Sequence, residues 1–223
     1  MESSVAKQDR GVRTRQSILL AAAAVFEERG YDAAKLTEIL VRANVTKGAL
    51  YFHFASKEEL AVEVIKAQVE ASSTPLPQAS KAQEFVDLGL IFAHRLAHDT
   101  LLRGSVRLTL DQGGEGLNRS GPYRDWTKVS LRILNEARDR GELQPHVEPR
   151  VTAQLLVGAY AGVNMMSQIL GEAHDLSRQI AALYQHLMPG IVIPAVLETL
   201  DMSAGRGERA LAEMRAVQAN GAR

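Results

Sequence analysis

The chain has 223 residues, 46% of them hydrophobic, with 26 basic and 26 acidic side chains and no formal net charge. That is enough apolar material for a core, and the charge balance excludes a globally basic nucleic-acid coat, so any nucleic-acid contact must arise from local asymmetry. The absence of cysteine excludes disulfide frameworks, thiol nucleophiles and thiolate metal sites.

The opening MESSVAKQDRG has no apolar run, so no secretory signal is expected and the chain reads as cytoplasmic. Residues 1–9 are expected to be disordered. Arg10, Arg13 and Arg15 lead into a helix from about Thr14 to Arg29, with Ile18, Ala22, Val25 and Phe26 on its inner face and Gly30 as its stop. These arginines are either a solvated tail or a basic arm for phosphate.

The stretch TEILVRANVTKGALYFHFASKEEL, Thr37 to Leu60, reads as two short helices joined by a tight turn, with a third starting behind them. Leu36, Ile39, Leu40 and Ala43 recur at helical spacing. Asn44 stands where a left-handed residue must end that helix, and Asn tolerates this conformation better than most. Val45 fills the core, Thr46 caps a helix Lys47–His53, and Ser56 with Glu59 forms a capping box for the next. This is a helix-turn-helix, whose second helix can enter a major groove. Lys47 supplies a cation, Tyr51 and His53 supply donors for phosphate, and Gly48 and Ala49 allow close approach. From Lys35 to Lys57 four cations (Lys35, Arg42, Lys47, Lys57) face one acid, Glu38. The plainer alternative is a solvated helical hairpin whose aromatics pack a core.

The third helix runs from Lys57 through Leu60 and Val64 to about Ala71, and SSTPLPQAS then breaks the chain. A Ser80/Gln83 capping box opens a helix from about Lys81 to His98, and Asp99 caps another, Thr100 to Leu110. After DQGGEGLNRSG, Pro122 is expected as the first residue of a helix ending near Arg140, with Gly141 as its stop. Further helices are expected from Glu148-Pro149, over Asp175–Met188, and as a last long pattern from Ile191 to Thr199. The tail from Ser203 is expected to be partly helical or frayed. No strand alternation and no internal repeat are found; the fold class is all-α.

Residues 151–171 carry no charge. Thr152, Gln154, Asn164, Ser167 and Gln168 argue against a membrane span, so the stretch is expected to be a helix buried on all sides. Gly158 and Gly162, four apart, would let another helix approach closely, as at a subunit interface. No phosphate-cradling, metalloprotease or catalytic-triad pattern is present, and no enzyme activity, cofactor or metal is expected. His94 and His98 have metal-ligand spacing but no third ligand in the sequence.

VTKGALYFHFASKEEL resembles the signature of the TetR family of bacterial repressors, and the likeness covers residues 10–66. YFHFASKEELA, with Trp126 in YRDWTKV and the segment LLRGSVRLTLDQGG, is similar to the γ-butyrolactone receptor branch. The resemblance implies an N-terminal three-helix DNA-binding domain with a helix-turn-helix (10–56) and a larger helical ligand-binding and dimerisation domain (57–223), with 57–71 as connecting helix. It further implies a homodimer held by a four-helix bundle, a palindromic double-stranded operator, and release by a small, mostly apolar effector. Genes of secondary metabolism are the expected targets. Where the family carries Ser or Thr as cap and phosphate contact before its second helix, this chain has Lys35, so a direct charge contact would replace the cap. The candidate DNA contacts are Arg13, Lys35, Thr37, Thr46, Lys47, Gly48, Ala49, Tyr51, Phe52, His53 and Lys57.

Trp126 is the only tryptophan. Taken alone it is a core aromatic; in the receptor branch the matching residue stacks on a lactone or furan effector. Around it the expected cavity comprises Leu88, Phe92, Val106, Leu110, Ser130, Leu134, Val157, Tyr160 and Ala161, with Gln68 and Asn164 as polar partners. The alternatives are a drug-sensing repressor of an efflux gene, or a helical small-molecule binder without DNA. The cluster from Lys35 to Lys57 discriminates, because only a DNA-binding protein needs it.

Overall fold

The computed structural model describes residues 2–70, 77–111, 117–171 and 175–221, with the side chains of 2–8, 67–70, 218, 220 and 221 outside that description. The described residues form the helices α1 (Glu2–Ala33), α2 (Leu36–Ala43), α3 (Lys47–His53), α4 (Lys57–Glu70), α5 (Lys81–His98), α6 (Thr100–Leu110), α7 (Ser120–Asp139), α8 (Pro149–Ile169), α9 (Leu176–Leu187), α10 (Pro194–Leu197) and α11 (Arg206–Gly221). Among them the β-structure is one isolated antiparallel bridge, Leu143 with Val192. The chain divides into two compact units, Met1–Ala71 with Asp99–Pro122, and Ser72–His98 with Tyr123–Arg223.

In the first unit, α1 begins at Glu2, well before the expected Thr14. A helix already nucleated by packing extends at little cost through good helix formers such as Ala, Lys, Gln and Arg, even where they bury nothing. Ile18, Ala22, Val25 and Phe26 form its buried face. Gly30 breaks it with φ +72°. A side chain there would collide with the Asp111 carboxylate, which accepts the Tyr31 N–H at 2.9 Å.

The following elements form as their local signals dictate. Ile39 and Ala43 of α2 are buried, and Asn44 is left-handed at φ 53°, ψ 50°. The Thr46 hydroxyl accepts the Ala49 N–H at 3.2 Å. Ser56 accepts the Glu59 N–H at 3.1 Å, while the Glu59 carboxylate reaches back to the Ala55 N–H at 2.6 Å, one residue earlier than in the usual capping box. Helix α6 returns to this unit and packs on α1 and α4. Gly104 lets it lie directly on α1, since a Cβ there would overlap the Ala23 carbonyl. Arg103 binds Glu27 at 2.6 Å, and the Ser105 hydroxyl donates to the Ile65 carbonyl at 3.3 Å. Leu108 joins the core of α1 to α4. The compact unit is therefore larger than the segment 10–56 and takes in α4 and α6.

In the second unit α5 is the central helix, with Phe85, Val86, Leu88, Leu90, Ile91 and Phe92 all buried. Ser80 caps it by accepting the Gln83 N–H at 3.1 Å. The Gln83 side chain does not complete the box: its amide donates to Asp87 at 2.7 Å and its carbonyl accepts the Asp201 N–H at 2.8 Å. Helix α7 starts at Ser120, so Pro122 lies third rather than first, still within the turn whose N–H groups have no helical acceptor. Gly141 follows its end at φ +71°.

Two stretches differ from expectation, and a third, the tail, takes the helical one of its two expected forms. The long helix over 191–199 is replaced by a 3₁₀ turn, Met188–Gly190, and the four-residue α10. Pro194 forces Ile193 into an extended conformation (ψ 153°), and the Ile193 N–H donates to the Glu142 carbonyl at 3.0 Å. The tail is a sixteen-residue helix, α11, packed against α5. Helix α8 is not buried on all sides in the single chain. Ala153, Leu156, Asn164 and Ser167 face inward, whereas Val151, Leu155, Met165, Met166 and Ile169 are exposed.

Candidate nucleic-acid interface and effector site

Helix α3 is anchored by Leu50 and by Phe54 just after it, each 1% exposed. At 100° per residue, Gly48 and Phe52 then point directly away from the core, with Tyr51 and Ala49 to either side. Lys47, Gly48, Tyr51 and Phe52 are exposed, and Ala49 and His53 are half-buried. The Lys47 amine lies 5.8 Å from the centre of the Tyr51 ring. Thr46 is exposed while its hydroxyl caps α3. Lys35 and Thr37 are exposed at the start of α2, and the Lys35 side chain makes no cap.

Beside the α2–α3 turn lies a hollow of about 730 Å³, lined by Arg10, Arg13, Thr14, Ser17, Ala43, Asn44 and Val45. It brings Arg13 next to the turn. Arg10, absent from the candidate contacts, stands there too; its signal was the three-residue spacing to Arg13 on a helix that starts upstream of both.

The structure redistributes the charge cluster. Arg42 is paired in a two-pronged bond with Glu28, at 2.7 and 3.0 Å. That bond raises the Arg42 pKa and lowers that of Glu28. The Lys57 amine lies 4.6 Å over the Tyr31 ring and donates to the Asp32 carbonyl at 3.4 Å. Burial lowers its pKa, against the opposing charge of Asp32. Lys57 is thus held by Tyr31 and Asp32 within the unit rather than free to reach DNA. Lys35, Lys47, Arg10 and Arg13 remain as the outward cations.

In the second unit Phe92, Trp126 and Tyr160 form an aromatic trio. Phe92 meets Trp126 edge-on at 5.1 Å and Tyr160 at 5.8 Å. The Tyr160 hydroxyl donates to the Gly89 carbonyl at 3.1 Å, and burial pushes its pKa well up, so it stays neutral. Leu88, Ser130 and Leu134 are buried on α5 and α7, and Val157 and Ala161 are half-buried on α8. Asn164 is buried and accepts from the Gln168 amide at 3.4 Å. Three residues on, the Ser167 hydroxyl is buried with no hydrogen-bond partner among the described residues. It is not among the expected effector contacts, although its i+3 spacing from Asn164 puts both on the inner face of α8.

Val106 (buried) and Leu110 (half-buried) stand on α6 of the first unit, and the Gln68 side chain lies outside the described residues. The His94 and His98 rings are 4.7 Å apart, and among the described residues no group of three or more His, Asp or Glu could hold a metal.

Residues 18–64 match the model of the bacterial regulatory proteins of the tetR family, and residues 120–183 match the tetracyclin repressor-like C-terminal domain. The A-factor receptor protein of Streptomyces griseus is 39% identical over 193 residues, covering 86% of this chain and 69% of the relative. The chain belongs to the TetR family. Among solved structures, full-length native TylP, a TetR regulator from Streptomyces fradiae, is 42% identical with a TM-score of 0.84, over 92% of this chain and 98% of that one. A γ-butyrolactone receptor described as ArpA-like is 27% identical with a TM-score of 0.71, over 92% and 99%. These relatives support the γ-butyrolactone receptor branch of the TetR family for this chain, and a regulator rather than an enzyme.

Proposed function

We propose that this chain is a cytoplasmic, homodimeric TetR-family repressor that binds a palindromic double-stranded operator and leaves it when a small, mostly apolar γ-butyrolactone- or furan-like signal binds. Secondary metabolism is its expected target. The carrying observation is the outward face of α3, where Lys47, Gly48, Tyr51 and Phe52 are exposed on a helix anchored from behind by Leu50 and Phe54. Such a helix can enter a major groove, with Arg10, Arg13, Lys35, Thr37, Thr46 and His53 beside it for phosphate and Ala49 close to the base edges.

Lys47→Ala is expected to weaken operator binding by about 1–3 kcal/mol as a base contact. Tyr51→Phe and His53→Ala should weaken it more evenly across sequences, since their partners are phosphates. Anisotropy titrations on duplexes selected from randomised DNA measure both, and unchanged affinity of folded Lys47→Ala would remove Lys47 from the interface.

The exposed apolar side of α8 supports the homodimer. A Cβ at Gly158 or Gly162 would meet nothing within 4 Å in the single chain. Gly158→Leu should therefore leave the protomer folded while overpacking the paired helices, at a cost of about 1–3 kcal/mol. Operator affinity should fall with it, because one protomer reaches one half-site. Sedimentation decides: wild-type protein that is a monomer at micromolar concentration contradicts the dimer.

The effector site is proposed around Phe92, Trp126 and Tyr160, with Leu88, Ser130, Leu134, Val157, Ala161 and Asn164 from the same unit. These side chains are uncharged, which suits a neutral lactone better than the cationic aromatics a drug sensor would hold. Release requires the ligand to prefer a conformation in which the two recognition helices no longer stand about 34–36 Å apart. Helix α4 is one link to the DNA-reading helices. Helix α6 is a second, through Arg103–Glu27, the Gly104–Ala23 contact and Asp111–Tyr31.

A further inference from the structure

Phe52 is 84% exposed, the most exposed large hydrophobic side chain among the described residues of the first unit. A single exposed aromatic says little by itself. Its position says more. It lies about 160° around α3 from Leu50, on the side away from the core. Helical side chains lean toward the N-terminus, which directs position 52 over the turn that holds Gly48. Gly48 leaves that turn open: a Cβ there would have only the Thr46 hydroxyl nearby, at 4.0 Å. The Phe52 ring meets His53 edge-on at 5.1 Å.

The chemistry of the ring narrows what it can meet in a major groove. Phe has no donor or acceptor for a base edge. Against adenine, guanine or cytosine it would cover polar groups that need partners, the adenine and cytosine amino groups or the guanine O6. Thymine alone offers an apolar group there, its 5-methyl. We propose that Phe52 is a specificity-determining residue that reads the 5-methyl group of one thymine in each half-site, while Gly48 lets the base edge come close. The inference rests on the DNA-binding reading above and names the base chemistry of that same face.

The methyl can be deleted without touching base pairing, by replacing thymine with deoxyuracil. In the duplex that wild-type protein selects from randomised DNA, each thymine is replaced in turn and affinities are compared for wild type, Phe52→Ala, Phe52→Leu and Tyr51→Phe. Burial of one methyl corresponds to about fourfold in affinity. Wild type should lose about fourfold at one thymine per half-site, and about sixteenfold when both are replaced. Phe52→Ala should bind the thymine and uracil duplexes alike at that position. Phe52→Leu, still apolar, and Tyr51→Phe should keep the preference for thymine. Wild-type indifference to uracil at every position would overturn the inference, as would undiminished uracil sensitivity in Phe52→Ala. Failure of the wild type to select any duplex is a different result, and removes the DNA-binding reading itself along with this one.

Discussion

Replacing Arg206 with methionine is expected to destabilise the second unit by about 3–5 kcal/mol, the usual cost of leaving one partner of a buried ion pair behind. Asp87 on α5 is 0% exposed. Arg206 donates to both of its oxygens, at 2.7 and 2.6 Å, and also holds Glu213 at 2.7 and 3.1 Å. Gln78 and Gln83 donate to the same Asp87 carboxylate, at 2.9 and 2.7 Å. Its hydrogen bond to Asp87, ahead of the one to Glu213, raises the Arg206 pKa, so the guanidinium remains charged at any pH the protein survives. Gly207 beside it lets α11 touch α5, because a Cβ there would overlap the Leu90 carbonyl. The double variant Asp87→Asn with Arg206→Met should recover part of the loss, since no buried charge is then stranded. Urea unfolding of the two variants checks this, and wild-type stability in Arg206→Met would mean that α11 is dispensable to the unit.

That ion pair also marks where sequence reading stops. Asp87 and Arg206 are 119 residues apart, and nothing in either neighbourhood names the other. The tail around Arg206 reads from sequence as partly helical or frayed, and it is the surface and counter-charge supplied by α5 that decide for the helix. The helix-turn-helix was legible for the opposite reason: Asn44, the Thr46 cap and the Ser56–Glu59 pair act within a few residues of themselves, and local chemistry needs no partner from afar. The charge cluster falls between these cases. The cations from Lys35 to Lys57 are plain in the sequence, but Glu28 from α1 neutralises Arg42 and Tyr31 draws Lys57 inward. The uncharged α8 showed its apolar character in sequence, and only the structure separates the face that packs within the chain from the one left uncovered.

Trp126→Ala is expected to uncouple the two activities proposed for this protein. Loss of the ring removes the edge-on contact with Phe92 at 5.1 Å, costing about 0.5–1.5 kcal/mol beyond the lost burial, and takes away the proposed stacking surface for the effector. The outward side chains of α3 belong to the other unit and are untouched. The variant should bind operator with wild-type affinity while the effector concentration needed for release rises by about thirtyfold or more, as for truncation of a central aromatic contact. Wild-type release by the variant would move the effector site away from Trp126. A folded variant that no longer binds operator would return Trp126 to the role of a core aromatic.

Release of the repressor by a small neutral lactone can be followed on the wild-type protein. A fluorescent duplex selected by the dimer is held saturated, and a γ-butyrolactone carrying an alkyl chain is titrated against it while anisotropy is followed. Anisotropy is expected to fall saturably to the value of free DNA, with the protein still dimeric by sedimentation and with no fall for Trp126→Ala over the same range. Anisotropy that stays high for wild type across alkyl-γ-butyrolactones and furans alike, at concentrations where one of them demonstrably binds the protein, would contradict it.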